Sequence, residues 1–199
     1  MSGKLHHKDE QYQPASFEFT PERLAKAQEI IARYPAGRQQ SAVMPLLALA
    51  QQQHHNWLPT AAMDYVAQML GMPPIRVYEV ASFYTMYNMH PMGKHHLQVC
   101  TTTPCWLRGS EQIMHTCEKK LGIKHGQTSA DGQFTLHEVE CLGACVNAPM
   151  MQVTSTDGHD EYFEDLTPES TEKLLDALAR GVRPKAGPQN GRKSSEPAS

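Results

Sequence analysis

Leu97-Gln-Val-Cys-Thr-Thr-Thr-Pro-Cys-Trp-Leu107 is a short apolar run that breaks into a cysteine-bearing turn and then into a helical pattern. A second stretch, Glu140-Cys-Leu-Gly-Ala-Cys-Val-Asn-Ala-Pro149, follows another strand-like run, Phe134 to Glu140. Cys100 and Cys105 form a C-x4-C pair and Cys141 and Cys145 a C-x3-C pair, each at the end of a predicted strand. Soft thiolates in two pairs suit a rhombic [2Fe–2S] core, because each iron takes two protein sulfurs. Thr101, Thr102 and Thr103 supply backbone N–H groups and hydroxyls near the sulfurs, and Pro104 stiffens the first turn. Leu142-Gly143-Ala144 is small enough for close backbone approach, and Ala148-Pro149 closes the second loop. Such donors favour the more negative, reduced state. On spacing alone, four-cysteine structural zinc remains a rival, since its pairs are usually C-x2-C but extend to x4. Unligated thiols are the third reading. Cys117 has no partner by spacing and reads as a small core or surface residue.

Around these loops the pattern is β, α, β, β-hairpin, α, an α/β layer arrangement. Leu107 to Leu121 reads as one helix stopped by Gly122, and Met150 to Thr154 as a strand. Asp157-Gly158 marks a hairpin turn into Glu161-Tyr162-Phe163. Thr167-Pro168 opens a last helix with Leu174, Leu175 and Leu178 on its buried stripe, ended by Gly181.

Upstream lie helical patterns. Thr20-Pro21 is an N-cap followed by a first-turn proline, and Leu24, Ala27, Ile31 and Tyr34 share a face. Val43, Leu46, Leu47 and Ala50 recur at i, i+3, i+4, i+7, with Pro45 tolerable only in the first turn. Met63, Val66, Ala67 and Leu70 form a third stripe, and Val77, Val80, Ala81 and Tyr84 a fourth. The Met and Tyr side chains of Tyr84 to Met89 read as core or subunit interface. The predicted organisation is a flexible N-terminus over 1–18, four amphipathic helices over 19–90, an α/β layer unit over 91–181 and a disordered basic tail over 182–199. The fold class is α+β.

Composition excludes several functions. The 199-residue chain carries a formal net charge of −3, which gives no electrostatic case for nucleic acid. The longest apolar run, Ala42 to Ala50, is far too short to span a bilayer. Met1 to Gln13 is polar, includes Asp9 and Glu10, and lacks the apolar core of a signal peptide and the Arg-rich bias of a presequence. Five cysteines, an odd number, in paired spacings fit metal or redox work in a reducing compartment. Neither a dinucleotide nor a P-loop glycine motif occurs, so any nicotinamide must sit on a partner. No C-x-x-C redox pair is present. Thr60 to Tyr84 could imitate helix-turn-helix, but Asp64 and Glu79 stand there against Arg76 alone. The adjacent histidines His54-His55 and His95-His96 read as solvated or boundary residues, and no residue reads as a nucleophile or general base.

The two cysteine loops resemble those of the small, thioredoxin-like [2Fe–2S] subunit of respiratory NADH:quinone oxidoreductase, complex I. Pro73-Pro-Ile-Arg-Val-Tyr-Glu-Val-Ala-Ser-Phe-Tyr-Thr-Met-Tyr87 and Tyr162-Phe-Glu-Asp-Leu-Thr-Pro168 resemble two further family segments, and the likeness runs from Pro21 to Arg180. One departure is the longer hairpin stretch from Ser155 to Asp160. The resemblance implies a thioredoxin-like ferredoxin domain after a helical bundle, and one [2Fe–2S] cluster on Cys100, Cys105, Cys141 and Cys145. It implies a large partner subunit that binds FMN and NADH, with further iron–sulfur subunits in the same complex. The cluster would exchange electrons with the flavin, off the main path to quinone. The chain would carry no catalytic residue of its own and lie peripherally, without membrane insertion, on the cytoplasmic side of a bacterial inner membrane or in the mitochondrial matrix. Soluble NAD-linked hydrogenases and formate dehydrogenases use similar subunits, which leaves a diaphorase-type role as the alternative.

Overall fold

The computed structural model describes residues 13–156 and 158–193. The chain divides between Pro91 and Met92 into two compact units.

The first unit is helical. Helix α1 (Pro21–Ala32) starts where the Thr20 hydroxyl accepts the Arg23 N–H at 3.3 Å and proline occupies the first turn. A 3₁₀ turn, Gln39–Ala42, leads into α2 (Val43–Gln53), where Pro45 lies in the first turn and so removes no needed hydrogen bond. Helices α3 (Thr60–Leu70) and α4 (Pro74–Phe83) follow, with Gly71 capping α3 in the left-handed conformation. Leu46, Leu47, Ala62, Val66 and Val77 meet in a fully buried core. The polar lead-in contributes more than its composition predicts: Phe17 is buried, edge-on to Phe19 and Tyr65. Gln13 Oε1 accepts the Thr60 N–H at 2.9 Å. Mobility for 13–18 is therefore not what the structure shows, and residues 1–12 lie outside the described residues. After α4 the chain folds back on α2, with the Tyr87 O–H donating to the Met44 carbonyl at 2.9 Å. Tyr87 is buried, whereas Tyr84 and Met86 are exposed.

The second unit is a six-stranded sheet in the order β2-β3-β1-β4-β5-β6. Strands β1 (His95–Cys100) and β3 (Phe134–Val139) are parallel, with Leu97 opposite Leu136 and Cys100 opposite Val139. Strand β2 (Gln127–Thr128) is antiparallel to β3, and the hairpin strands β4 (Met151–Ser155) and β5 (Asp160–Glu164) are antiparallel to each other, with β4 antiparallel to β1. Asp157, predicted for the hairpin turn, lies outside the described residues. Alternation sends Leu97 and Val99 to one face, where they pack with Ile113, Leu136, Val153, Phe163 and Leu175. That face is covered by α6 (Ser110–Leu121) and α7 (Pro168–Ala179). Helix α7 begins in a reciprocal capping box between Thr167 and Ser170.

Two expectations are corrected here. The helix predicted from Leu107 to Leu121 begins three residues later, as α6, and a further short helix, α5 (Thr103–Leu107), precedes it, the two separated at Gly109, whose φ of +94° leaves the helical region. Periodicity cannot register that break, because one glycine suffices to make it. The tail predicted to be disordered from residue 182 instead lies along the sheet edge through residue 193. Strand β6 (Gly187–Pro188) pairs in parallel with β5, and Arg192 forms an ion pair with Asp165 at 2.6 Å. Residues 194–199 lie outside the described residues.

Candidate metal centre

Because β1 and β3 are parallel and in register to Cys100 and Val139, both cysteine loops leave the same end of the sheet. The first loop turns directly into α5. Pro104 sits in the first turn of that helix, and the Trp106 N–H closes it onto the Thr102 carbonyl at 2.9 Å. The second loop turns at Gly143, whose φ of +85° only glycine adopts readily, and enters a 3₁₀ turn, Cys145–Asn147. The Ala148-Pro149 peptide is cis. The chain then rejoins the sheet, and the Cys100 N–H donates to the Met150 carbonyl at 3.2 Å.

Cys100, Cys105, Ala148 and Met150 form one buried apolar cluster, against which Leu142, Ala144 and Tyr162 pack. The Tyr162 O–H donates to the Leu142 carbonyl at 2.9 Å and so ties β5 to the second loop. Cys100 and Cys105 are buried, whereas Cys141 and Cys145 are exposed, with their Sγ atoms 3.3 Å apart. The thiols therefore form an inner and an outer pair. Among the described residues, no three His, Cys, Asp or Glu side chains are set to hold a single metal ion.

Burial and hydrogen bonding shift the two thiols of each pair in opposite directions. Burial opposes ionisation of Cys100, but the Thr102 hydroxyl at 3.4 Å outweighs it together with the Thr102 amide, Cys105 and the Leu142 amide. Its thiol is held below the ordinary value. Cys105 is pushed up to about 12, first by burial and then by Cys100. In the outer pair the Gly143 amide, followed by Cys145, lowers Cys141, while Cys141 and burial raise Cys145. The Thr102, Leu142, Gly143 and Met150 amides all bond thiol sulfurs. This donor set fits a cationic iron–sulfur core: soft thiolate ligands in two pairs, ringed by N–H groups that stabilise the net negative charge of the assembled cluster.

All four cysteines singled out by spacing thus gather at one end of the sheet, and Cys117 does not. It is fully buried on α6 in the sheet core, with its thiol pushed up to about 12 by burial. The histidine reading is corrected in one place. His95 and His96 are buried, not solvated, and His96 Nε2 lies 2.7 Å from His137 Nδ1. The sequence signal was faint, because the register that brings the β3 residue alongside β1 is not visible in either strand alone. Trp106, Leu107 and Val146 flank the cysteines and remain exposed.

The model of the family described as thioredoxin-like [2Fe-2S] ferredoxin matches residues 27–179. An NADH-quinone oxidoreductase subunit of Rickettsia bellii is 55% identical over 163 residues, which cover 82% of this chain and 95% of that protein. The mitochondrial NADH dehydrogenase [ubiquinone] flavoprotein 2 of Dictyostelium discoideum is 52% identical over 180 residues, covering 90% of this chain and 71% of that one. Among solved structures, an NAD+-reducing [NiFe]-hydrogenase in the air-oxidized state superposes with a TM-score of 0.59 at 18% identity, over 69% of this chain. This chain spans 23% of that hydrogenase chain, and the likeness is one of fold.

Proposed function

Since the chain belongs to the thioredoxin-like [2Fe–2S] ferredoxin family, we propose that it is the small electron-transfer subunit of an NADH:quinone oxidoreductase, with its cluster on Cys100, Cys105, Cys141 and Cys145. The observation that carries this reading is the convergence of the two thiol pairs, ringed by backbone N–H donors, at one end of the sheet. The Rickettsia bellii relative, named as a component of that enzyme and 55% identical over nearly its whole length, supports the assignment to a complex.

A [2Fe–2S] cluster supplies one-electron transfer when bound. The chain's own residues set the conditions for it. Met150, Ala148 and Tyr162 keep water from the inner pair, Tyr162 holds the second loop in place, and the loop amides favour negative charge at the sulfurs. The outer pair is exposed, so an electron has a short path to a docked partner. That partner, in this reading, is the FMN- and NADH-binding subunit. Hydride chemistry takes place there, and this chain receives or returns single electrons. Further iron–sulfur subunits complete the assembly. Among the described residues no helix is long and apolar enough to cross a membrane, and the proposed place is peripheral, on the cytoplasmic face of the inner membrane.

A diaphorase role in an NAD-linked hydrogenase is the second reading, favoured by the fold shared with the hydrogenase chain. Its 18% identity weighs far less than the 55% identity to the Rickettsia bellii quinone oxidoreductase component. Affinity purification of the chain from its native membranes distinguishes them. A co-purifying flavoprotein with NADH:quinone activity supports the first reading, a hydrogenase large subunit supports the second, and no flavoprotein overturns both.

A further inference from the structure

The segment after α7 is bound to the sheet at three points. Arg183 pairs with Glu161 at 2.8 Å, β6 pairs with β5, and the Gln189 N–H donates to the Glu164 carbonyl at 2.9 Å. Beyond β6 the chain reaches the cysteine loop itself. Arg192 grips Asp165 with two parallel bonds, Nε to Oδ2 at 2.6 Å and Nη2 to Oδ1 at 2.7 Å. The same Nη2 donates to Asn147 Oδ1 at 2.6 Å and to the Val146 carbonyl at 3.2 Å. The side chains of Arg192 and Asp165 are only 13% and 6% exposed.

Two of the residues that Arg192 touches, Val146 and Asn147, directly follow Cys145. They are held from the other side by β5 and the turn after it. Asn147 Nδ2 donates to Glu164 Oε2 at 2.6 Å, the Asp165 N–H to the Asn147 carbonyl at 2.8 Å, and the Leu166 N–H to the Pro149 carbonyl at 3.0 Å. Residues 146–149 are thus clamped between the end of β5 and a guanidinium from the tail. A merely structural contact needs no fork. Here one planar group satisfies a buried carboxylate, a buried amide and a loop carbonyl at once, which fixes direction as well as position.

We propose that Arg192 is a positioning residue for Cys145, and that the tail from Gly187 to Arg192 is a strap that holds the outer thiol pair in its metal-binding geometry. This rests on the four-cysteine cluster assigned above. The strap slows opening of the loop and so slows loss of iron from the exposed side.

The full-length chain is compared as wild type, Arg192→Ala and Arg192→Lys, with two readouts. The first is the rate at which an iron chelator bleaches the loaded protein. The second is amide hydrogen exchange over Cys145 to Ala148, with Leu174 to Leu178 of α7 as reference. Arg192→Ala still takes up iron and sulfide, but it bleaches roughly ten-fold faster, the size expected from lost charge-assisted bonds. Exchange over 145–148 accelerates while α7 is unchanged. Arg192→Lys keeps the charge without the fork and lies between the two; it decides the matter should the alanine variant precipitate. Bleaching and exchange at wild-type rates in the variants overturn the strap, as does exchange that quickens equally in α7, which marks a general loss of stability. Wild-type protein without iron or sulfide overturns the cluster assignment instead, and loop exchange then still reports whether Arg192 holds the loop.

Discussion

The sulfurs of Cys141 and Cys145 stand 3.3 Å apart in exposed positions, while Cys100 and Cys105, which pack in one cluster with Met150, are 2% and 1% exposed. The two halves of the thiol set therefore face different solvents, and their substitution should not be equivalent. Removing any one of the four thiolates leaves an iron under-coordinated. Cys100→Ala or Cys105→Ala should give no stable cluster, because an apolar pocket offers no substitute ligand. Cys141→Ser or Cys145→Ser should keep some colour, since an exposed hydroxyl or water can complete the iron. Cys117→Ala should keep full colour and lose about 1 kcal/mol of stability from the vacated core volume. Iron content per chain and unfolding midpoints check all five, and full colour in Cys105→Ala would remove that residue from the ligand set.

The same asymmetry predicts thiol reactivity in the iron-free, folded chain. Cys141 is exposed and its thiol is lowered by the Gly143 amide, whereas Cys105 and Cys117 are buried and pushed up to about 12. At neutral pH, iodoacetamide should modify Cys141 first and Cys105 and Cys117 last, by at least about a hundred-fold in rate, because the thiolate is the nucleophile. Peptide mapping after short exposure measures the order. Early labelling of Cys117 would contradict the placement of α6.

A third prediction concerns acid. Burial, and secondarily His137, pushes the His96 imidazole down from 6.5 to about 3; burial, then His125, lowers His137. The unfolded chain takes up these protons near pH 6.5, while the folded chain resists them. The contribution of these two groups is therefore flat above that pH and is lost as pH falls below it, for His96 by at most about 1.4 kcal/mol per pH unit between about 6.5 and 3. Denaturant titrations at pH 8 and pH 5 should show the loss, and His96→Gln should shrink it. An equal loss in the variant would move the cause to other groups.

The gathering of Cys100, Cys105, Cys141 and Cys145 is legible in the sequence, for a physical reason: the proposed four-thiolate centre is built from two local turns, and each turn shows in its own spacing and its own Gly or Pro. The buried helical stripes are legible on the same footing, since Leu46, Val66 and Leu174 need only their own periodicity. What escapes is what depends on distant partners. Arg192 meets Asp165 and Asn147 from 27 and 45 positions away, so a basic, proline-rich tail reads as unstructured. His96 and His137 meet only through strand register. Phe17 sits in a polar lead-in whose composition hides its edge-on contact with Tyr65. Strands β2 and β6, two residues each, are too short to show alternation.

The exposed apolar side chains beside the cysteines carry a prediction about docking. Leu107 and Val146 are 70% and 67% exposed, on α5 and on the turn that follows Cys145. Tunnelling falls steeply with distance, so the flavoprotein proposed as the partner would have to approach the exposed pair closely and would bury these side chains. Leu107→Glu with Val146→Glu should leave iron content unchanged and lower recovery of the flavoprotein about ten-fold or more, as expected for apolar anchors at an interface centre. Unchanged recovery would place the contact elsewhere.

The most direct measurement is metal and sulfide analysis of the anaerobically purified full-length chain, with its visible and EPR spectra. Four thiolates in two pairs predict a reddish-brown protein with about two irons and two acid-labile sulfides per chain, and a [2Fe–2S]-type EPR signal after dithionite. One zinc per chain, with no sulfide and no visible absorption, would contradict the account.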